Sequence, residues 1–571
     1  MYQKSIKLYL LLNTLIFSSD ALSIDIENVS SHAITPVAKF ECSSQELYTL
    51  TSSSDRYKKK NNGYYKQPTL LHPSTDMPTA QLKDLKPAAN HIFYDFSQME
   101  PTRAPQNIGL NFTAVTSSEC PMPLSIVPDT MLGVGPTQIL AVGNFGIISY
   151  DKTTGQQDYI IETPLAAAFN RFIYQPIFTG PFQTFDPRIR YDRFSDRWFL
   201  MAVDITFIPQ PVNPPLFLPN NILIAMSDTG VISKTTKWTG YIFAQNQIFP
   251  PGDLLNWADA PSLGIDAHAL YIGSNMVIEV LPASASLFVF PKAGLINGNP
   301  VGTAFRGFAG INGPVGVDNF DPNPVNGFFI AMQQQEPPVP ATSMFLFIID
   351  NPATTPLLAG IIPILIDPAT SAPDAPHKGK LPNGQLIFTL DPRLMHAHIW
   401  NNQLYTSHDV GVDQTGNFLV PDRCAIRWYQ IDVSSPLSPV LIQQSTFFDA
   451  SLINPRFFYF SALMTNMRGD LVIGCSTSAT DQFVDAMTLG RLATDPLNTL
   501  QAPTFLTNTQ FAYNYMSNID SGSVSGSIGA QRWGDYSYTA LDPDNMTMWT
   551  AQEFCARTDN WGIQIAQLLA P

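Results

Sequence analysis

The C-terminal part of the chain contains Gln531-Arg532-Trp533-Gly534-Asp535-Tyr536-Ser537-Tyr538, then Leu541-Asp542-Pro543-Asp544, then Met548-Trp549-Thr550-Ala551-Gln552-Glu553-Phe554. This stretch combines an Arg-x-x-Asp core, two tryptophans and an Asp-Pro turn. Surface segments rarely concentrate aromatic and oppositely charged side chains in this way. We interpret it as a buried Arg–Asp pair, packed between Trp533 and Trp549, that closes the C-terminal end of the fold.

The composition of the 571-residue chain is typical of an all-β protein. Only 13% of the residues are charged, and there are 48 prolines and 37 phenylalanines. Many short strands joined by turns use these residue types, whereas helical proteins carry more Glu, Lys and Ala. The net charge of −15 argues against nucleic-acid binding, which needs clustered lysines and arginines.

The N-terminus has the pattern of an export signal. Lys4 and Lys7 precede an apolar run at residues 8–17, and Ser19-Asp20-Ala21 supplies small residues for cleavage after Ala21. A run of this length is too short to span a bilayer, although a retained anchor is the alternative. We expect residues 1–21 to be removed and the mature protein to be secreted, periplasmic or bound at the cell surface, without a membrane span.

The cysteine content predicts disulfides in an oxidising compartment. The five residues are Cys42, Cys120, Cys424, Cys475 and Cys555, and the odd number leaves at least one unpaired or intermolecular. We expect a Cys42–Cys120 bond and a bond between two of the last three. No Cys-x-x-Cys pattern occurs, so a zinc or redox site has no support.

Two segments follow the signal. Residues 22–124 are polar and weakly periodic, which predicts a loosely structured extension with a few strands, for example at residues 93–96. Residues 125–571 contain short apolar runs bounded by Gly, Pro, Asn or Asp, which predicts strands and turns. The runs lie at residues 138–142, 146–150, 198–203, 222–226, 270–272, 328–332, 344–349, 386–390, 426–431, 471–475 and 561–568.

An Asp-Pro dipeptide recurs after an apolar or aromatic residue. Its members are Asp186-Pro187, Asp321-Pro322, Asp367-Pro368, Asp391-Pro392 and Asp542-Pro543. Asp accepts hydrogen bonds from the backbone and Pro fixes φ, so we expect each dipeptide to close a strand. Such repeated units predict one large β-propeller over residues 125–571, with about seven four-stranded blades; six or eight blades also fit the irregular spacing.

Six ordered blocks carry a family resemblance. They are Val127-Pro128-Asp129-Thr130-Met131-Leu132-Gly133-Val134-Gly135-Pro136 with Tyr150-Asp151-Lys152-Thr153-Thr154-Gly155; Asp186-Pro187-Arg188-Ile189-Arg190-Tyr191-Asp192 with Arg197-Trp198-Phe199; Asp259-Ala260-Pro261-Ser262-Leu263-Gly264; Asp391-Pro392-Arg393-Leu394-Met395-His396 with Arg427-Trp428-Tyr429; Gly490-Arg491-Leu492-Ala493-Thr494-Asp495-Pro496; and Arg532-Trp533-Gly534-Asp535-Tyr536. The set resembles a largely uncharacterised family of secreted bacterial β-propeller proteins that are related in shape to sialidases.

The resemblance implies a propeller but no activity. The residues that we take as its fold signature are Asp129, Asp186, Arg188, Arg197, Trp198, Arg393, Arg427, Trp428, Arg491, Arg532, Trp533, Asp535, Trp549 and Glu553. The chain departs from sialidases in their Asp-box, Ser-x-Asp-x-Gly-x-Thr-Trp. The nearest stretch is Ser227-Asp228-Thr229-Gly230, and Trp238 follows too late. We therefore do not expect an intact sialidase site.

Candidate catalytic residues lie in the C-terminal block. They are Arg532, Asp535, Tyr536 and Glu553. A carboxylate beside Tyr and Arg could serve glycoside hydrolysis, in which two carboxyl groups face each other across the sugar bond. We favour the alternative, a purely structural ion pair. The alternating charges from Asp186 to Arg197 are likewise expected to pair between strands.

The densest group of histidines is His396, His398 and His408. A two-residue turn at Asn401-Asn402 would pair His398 with Tyr405 and Met395 with His408, leaving His408 on the opposite face. A three-residue turn would pair His396 with His408 and gather three metal ligands. The Asn-Asn pair favours the two-residue turn, which argues against a metal site.

Motifs for other activities are missing. The sequence lacks a Gly-x-Ser-x-Gly elbow, a P-loop and an Asp-x-Asp-x-Asp-Gly loop. We expect no cofactor, although calcium held by scattered Asp residues stays open without a location. Pro-rich loops at residues 208–220, 333–341 and 367–382 suit recognition, because stiff loops lose less entropy on binding. We expect a monomeric, non-catalytic binding protein for a glycan or protein surface; the alternatives are an extracellular glycan hydrolase and an envelope structural protein.

Overall fold

Short strands joined by turns dominate the computed structural model. The structure describes residues 38–43, 91–94, 105–119, 127–163, 182–206, 219–278, 281–335, 339–382, 384–515 and 530–571. These residues belong to a single compact unit, residues 33–571. The predicted signal at residues 1–21 lies outside the described residues, as do the Pro-rich loop segments 207–218 and 336–338.

Seven sheets of four or more strands form the blades of a propeller. Three N-terminal strands come first: β1 (Ala38–Ser43), β2 (His91–Tyr94) and β3 (Asn107–Thr116). Blade I contains β4 (Met131–Val134), β5 (Gln138–Gly143), β6 (Gly146–Asp151) and β7 (Gln157–Thr163). Blade II contains β8 (Phe182–Asp192), β9 (Arg197–Thr206), β10 (Asn221–Ser227) and β11 (Lys237–Ala244).

Blades III to V follow in chain order. Blade III contains β12 (Trp257–Asp259), β13 (Gly264–Ile265), β14 (Ala269–Ile278), β15 (Leu281–Pro291) and β16 (Thr303–Phe308). Blade IV contains β17 (Ile311–Gly316), β19 (Gly327–Gln333), β20 (Ala341–Asp350) and β21 (Leu357–Ala369). Blade V contains β18 (Asp318–Asn319), β23 (Leu394–Trp400), β24 (Gln403–Val412), β25 (Arg423–Asp432) and β26 (Val440–Asp449).

Blades VI and VII complete the ring. Blade VI contains β27 (Phe457–Thr465), β28 (Leu471–Ala479), β29 (Gln482–Arg491) and β30 (Thr504–Phe505). Blade VII contains β32 (Tyr538–Leu541), β33 (Met548–Arg557) and β34 (Asn560–Leu569). Outside the blades lie the parallel pair β22 (Leu386–Ile387) and β31 (Ala530–Gln531), a 3₁₀ turn (Gln245–Gln247) and helix α1 (Lys292–Ile296). The predicted all-β propeller and its seven blades are confirmed.

The ring is closed by an N-terminal strand. Strand β3 pairs antiparallel with β34, from Asn107 opposite Leu569 to Thr116 opposite Gly562, and is the outer strand of blade VII. Closure therefore depends on a backbone ladder and not on the Arg532–Asp535 pair alone. It also means that the segment 22–124, which the sequence suggested to be a loose extension, contributes a strand to the propeller. Strands β1 and β2 cover the outer edges of blades II and V, where an open edge would invite association.

The blades bury both of their faces. Every residue of β27 and β28 is buried, because each blade packs against its neighbours on either side. The apolar runs predicted as strands are all strands, except that residues 386–390 contain only the two-residue β22. Among the described residues, no helix is long and apolar enough to cross a membrane.

Three of the five Asp-Pro dipeptides do not close strands: Asp391-Pro392 leads into β23, and the other two lie inside strands. Asp186-Pro187 lies inside β8, where the pairing with β9 shifts between Phe185 and Arg188. Asp367-Pro368 lies inside β21, the outer strand of blade IV. A bulge and an edge strand are the places in a sheet where the missing N–H of proline is tolerated, which explains both dipeptides that lie inside strands.

The disulfide predicted among the last three cysteines is wrong. Cys424, Cys475 and Cys555 are free and buried. They lie on β25, β28 and β33, in three different blades, and they pack as small apolar side chains in the hydrophobic core. The predicted Cys42–Cys120 bond falls outside the described side chains and stays a prediction.

Candidate functional site

Charged side chains from five blades meet at the axis of the propeller. We call this group the axial cluster; its members are Asp129, Asp186, Arg188, Asp259, Asp391, Arg393, Arg532, Asp535, Tyr536 and Glu553. All except Glu553, which lies on β33, belong to the innermost strands of blades I, II, III, V and VII or to the residues beside them. Side chains from blades that are not neighbours can meet only near the axis, so the ring itself assembles the cluster.

Left-handed backbone conformations occur within these inner strands or directly beside them. The φ angles are +46° at Asp129, +52° at Asp186 and +47° at Ala260, which follows Asp259. Blades IV and VI repeat the feature, at Gly313 (+54°) and Phe460 (+55°). Non-glycine residues adopt this region rarely, at a cost of about 1–3 kcal/mol each, and bulges of this kind redirect side chains. The backbone is thus strained at the positions that direct these carboxylates toward the axis.

Hydrogen bonds join three blades at this point. Asn144 donates from Nδ2 to Asp129 Oδ2 (2.6 Å), and its Oδ1 accepts from the backbone N–H of Asp186 (3.0 Å). The N–H of Asp535 donates to Asp129 Oδ1 (2.9 Å), and the hydroxyl of Tyr536 donates to Asp186 Oδ2 (3.0 Å). The C-terminal motif therefore links blade VII to blades I and II.

All three arginines of the cluster are engaged. Arg532 Nη2 lies 2.5 Å from Asp535 Oδ1, which is the predicted pair. Arg393 binds both oxygens of Asp391, at 2.8 Å each. Arg188 lies over the ring of Tyr536, 3.7 Å from its centroid, and donates to the carbonyl of Pro187. The guanidinium groups thus hold neighbouring groups of the chain in fixed positions.

Burial raises the pKa of several carboxyl groups of the cluster. It raises the pKa of Asp186 to about 7, with a further contribution from Asp259, and the Arg188 guanidinium opposes this. It raises the pKa of Asp259 to about 6 against the pull of Arg393. Burial also raises the pKa values of Asp129 and Glu553 well above the ordinary range, and neighbouring carboxylates add to both shifts. Part of the cluster is therefore protonated near neutral pH.

Two carboxyl oxygens of the cluster are buried and have no hydrogen-bond partner among the described residues. They are Asp186 Oδ1 and Glu553 Oε1, and each residue is only 3% exposed. Other members of the cluster reach solvent: the side chain of Asp391 is 25% exposed, and those of Asp535 and Arg532 are 15% and 11% exposed. Some side chains of the cluster thus reach solvent, whereas two of its carboxyl oxygens are buried and have no partner.

A second polar group lies next to the cluster. We call it the axial plug; it consists of Arg190, Asp318, His396 and Tyr538. Two of its members, Arg190 and Tyr538, stand two residues further along the chain than Arg188 and Tyr536 of the cluster. Asp318 Oδ2 lies 2.8 Å from Arg190 Nε, 2.9 Å from His396 Nε2 and 2.9 Å from the Tyr538 hydroxyl. Burial opposes ionisation of Asp318, but Arg190 and these hydrogen bonds lower its pKa below the ordinary value. The plug links blades II, V and VII beneath the cluster.

The prediction that the charges of β8 pair between the strands of one blade is wrong: they pair with residues outside that blade. Arg190 binds Asp318, at the inner edge of blade V, and Asp192 binds Lys292 of α1 at 2.6 Å. The innermost strand of a propeller faces other blades across the axis, which explains this difference.

Several residues of the fold signature lie outside the cluster, where they anchor turns and neighbouring strands. Arg197, Arg427 and Arg491 donate to the carbonyls of Ser227, Pro368 and Asp495, and Trp198, Trp533 and Trp549 donate to Gly230, Ser476 and Asp542. Trp428 lies beneath the guanidinium of Arg491. These contacts are structural.

The three histidines do not form one group: the rings of His396 and His398 stack with their centroids 5.7 Å apart, whereas His408 has other partners. A turn at Asn401-Asn402 with φ of +51° and +58° pairs His398 with Tyr405, as predicted. The predicted pairing of Met395 with His408 is wrong, because a bulge between Leu394 and His396 places Leu394 opposite His408. His408 instead contacts the Pro392 carbonyl and the Tyr429 hydroxyl. Within the described ranges, no three His, Cys, Asp or Glu side chains are arranged to hold a metal ion.

Sequence reasoning missed Asp259 and Asp391 as members of the cluster and Asp318 and Tyr538 as members of the plug. Asp391 stood in a recurring Asp-Pro dipeptide, and Asp259 preceded the similar Ala260-Pro261. The sequence signal that could have identified both residues was therefore an Asp followed directly, or one residue later, by a proline. Asp318 had none, because its role arises only from the meeting of blades II, V and VII.

Comparison with known proteins identifies no family. The sequence matches no protein-family model and no curated protein. Trypanosoma rangeli sialidase in complex with the inhibitor DANA is 12% identical with a TM-score of 0.28, and the match covers 67% of this chain and 54% of the sialidase. The chain thus spans about half the length of that enzyme.

Two further solved structures are similar at the same level. One is a PL25 ulvan lyase bound to -[GlcA(1-4)Rha3S]-, with 11% identity, a TM-score of 0.37 and coverage of 83% of this chain and 96% of the lyase. The other is an exo-1,5-α-L-arabinanase from a bovine ruminal metagenomic library, with 11% identity, a TM-score of 0.27 and coverage of 55% and 96%. At these identities the similarity concerns the fold alone.

Proposed function

We propose that this protein is an exported β-propeller that binds a glycan at the axial cluster. The observation that carries the proposal is a fixed set of charged groups, half-buried at Asp391, Arg532 and Asp535, that five blades hold in place. Carboxylates, guanidinium groups and a tyrosine in rigid positions suit the hydroxyl groups of a sugar. A protein ligand would be expected to meet an apolar centre with a polar rim, and the cluster has the opposite character.

Binding without turnover is our first candidate, because most of the charged groups of the cluster that reach solvent are already paired within the chain. Arg532 neutralises Asp535, and Arg393 neutralises Asp391. Such pairs present a rigid array of donors and acceptors, and of the partly exposed carboxyl groups of the cluster only Asp259 has no ion pair among the described residues. The ligand-free protein is therefore preorganised for recognition.

Glycoside hydrolysis is the second candidate, and a specific observation supports it. The pKa of Asp186 is raised to about 7 and that of Asp259 to about 6, and groups that titrate near neutral pH are suited to general acid–base catalysis. The two candidates share the same site, so one series of variants separates them.

The test is a glycan screen followed by calorimetry with the full chain. Asp535→Asn is expected to weaken binding about tenfold or more, which corresponds to about 1.4 kcal/mol. Asp481→Asn, which removes the same charge from an exposed hairpin, should leave affinity unchanged. Release of new reducing ends that Asp186→Asn abolishes would favour hydrolysis. If no glycan binds at all, the proposal fails.

A further inference from the structure

The axial cluster contains more acids than bases. Its acids are Asp129, Asp186, Asp259, Asp391, Asp535 and Glu553, and its bases are Arg188, Arg393 and Arg532. Six carboxyl groups face three guanidinium groups, which leaves an excess of three acids. A ligand that enters this site therefore meets a surplus of negative or protonated carboxyl groups.

Two of the three guanidinium groups of the cluster are paired with carboxylates, and the third lies over an aromatic ring. Arg393 already binds both oxygens of Asp391, Arg532 binds Asp535, and Arg188 stacks on Tyr536. A uronate or sialate carboxyl group would have to displace one of these partners. It would also approach the remaining carboxylates, which repel it.

Two carboxyl oxygens of the cluster have unused hydrogen-bonding capacity. Asp186 Oδ1 and Glu553 Oε1 are buried and have no partner among the described residues. When the carboxyl group is ionised, such an oxygen only accepts hydrogen bonds, so in that form it needs a donor from the ligand. An ammonium group supplies three donors together with a positive charge. Once Asp186 or Glu553 has lost its proton, an ammonium group supplies a donor to the unpartnered oxygen and offsets part of the surplus of acids.

We infer that the axial cluster recognises sugars that carry free ammonium groups, so the ligand class is an amino-sugar glycan whose amines are not acetylated. The inference rests on the proposed function of glycan binding and names the chemistry of that ligand. A charged donor bonded to a buried carboxylate is stronger than a neutral one, so the free amine, and not the hydroxyl groups, should dominate selectivity.

The experiment compares three oligosaccharides of equal length by calorimetry at about pH 5.5, where the sugar amines are already protonated before they bind. The probes are a glucosamine oligomer, an N-acetylglucosamine oligomer and a galacturonate oligomer. We expect the glucosamine oligomer to bind about tenfold more tightly than the acetylated one, with little binding of the uronate. Binding should also release protons, since an ammonium group favours the ionised form of Asp186 and Glu553; two buffers with different ionisation enthalpies measure this.

Variants connect the selectivity to the cluster. Asp186→Asn should reduce the preference for glucosamine and the proton release, whereas Asp481→Asn on the exposed hairpin should change neither. If Asp186→Asn does not fold, the selectivity and the proton release of the wild-type protein test the inference by themselves. Tightest binding of the galacturonate or acetylated oligomer, or glucosamine binding without proton release, would overturn the inference and leave glycan binding standing. Absence of binding to every glycan would overturn both.

Discussion

Arg188 lies over the ring of Tyr536 at 3.7 Å, and two residues further along each strand Arg190 lies over Tyr538 at 4.2 Å. The same two strands, β8 and the start of β32, thus contribute one Arg–Tyr pair to the axial cluster and one to the axial plug. The period of two along a strand places both pairs on the face that looks toward the axis. Each tyrosine then donates to an aspartate from another part of the ring.

Removal of the Tyr538 hydroxyl should destabilise the axial plug. Tyr538→Phe removes the donor to Asp318 Oδ2 but retains the ring beneath Arg190. Because hydrogen bonds to buried charged groups are worth about 1.5–3 kcal/mol, we expect a loss of this order in the free energy of unfolding. Denaturation in urea measures it, with Tyr159→Phe at an exposed site as the control. Equal effects of both variants would contradict the prediction.

Ring closure by β3 can be tested by truncation. A chain that begins at residue 105 retains β3, whereas a chain that begins at residue 120 lacks it and leaves the edge of β34 open. We expect the longer chain to unfold in one cooperative transition and the shorter one to lose cooperativity or aggregate. Thermal unfolding followed by circular dichroism compares them. A similar melting temperature in both would show that β3 does not close the ring.

The pH dependence of stability should report on Asp186. Its pKa rises from the ordinary 3.8 to about 7 in the folded protein, so between these values the folded state binds more protons than the unfolded one. Protonated Asp186 therefore stabilises the folded state at low pH, and this stabilisation decreases as the pH rises toward about 7. Asp186→Asn removes this dependence.

We expect the stability of Asp186→Asn relative to the wild type to increase by about 2–4 kcal/mol from pH 4 to pH 7 and to level off above that. Urea denaturation at a series of pH values measures the difference. Asp481→Asn, at an exposed position, serves as the control. A stability difference that is constant with pH, or that falls as the pH rises, would contradict a raised pKa of Asp186.

The three C-terminal thiols should be unreactive in the native protein. Cys424, Cys475 and Cys555 are free and buried, and burial raises the pKa of each thiol above its ordinary value. With Cys42 and Cys120 replaced by serine, a thiol reagent should label none of them at pH 8 and all three in denaturant. Rapid labelling of one thiol under native conditions would place that cysteine at the surface.

The sequence predicts local structure well where it depends on neighbouring residues. Apolar runs between turn residues identified the strands, and Asn401-Asn402 identified a two-residue hairpin turn, since both signals act within a few residues. The sequence predicted less where a residue contacts a partner that lies far away along the chain. The free cysteines and the bulge opposite His408 depend on how separate segments pack, and no local pattern encodes them.

The residues of the axial cluster illustrate the same limit. Arg532 and Asp535 stand three residues apart, and their pairing could be predicted from spacing alone. The contact of Tyr536 with Asp186 joins residues 350 positions apart, and it exists because two blades bring their inner strands to one axis. The unpaired oxygens of Asp186 and Glu553 follow from burial, which is likewise a property of the assembled ring.

The amino-acid sequence by itself determined the fold class, because alternation of short apolar runs with turn residues allows few architectures other than a propeller at this length. The tertiary structure alone decided which charges meet, which carboxyl groups are raised in pKa and which acceptors remain unused. Desolvation and charge–charge interaction depend on distances across the axis, and those distances arise only when β3 and β34 close the ring.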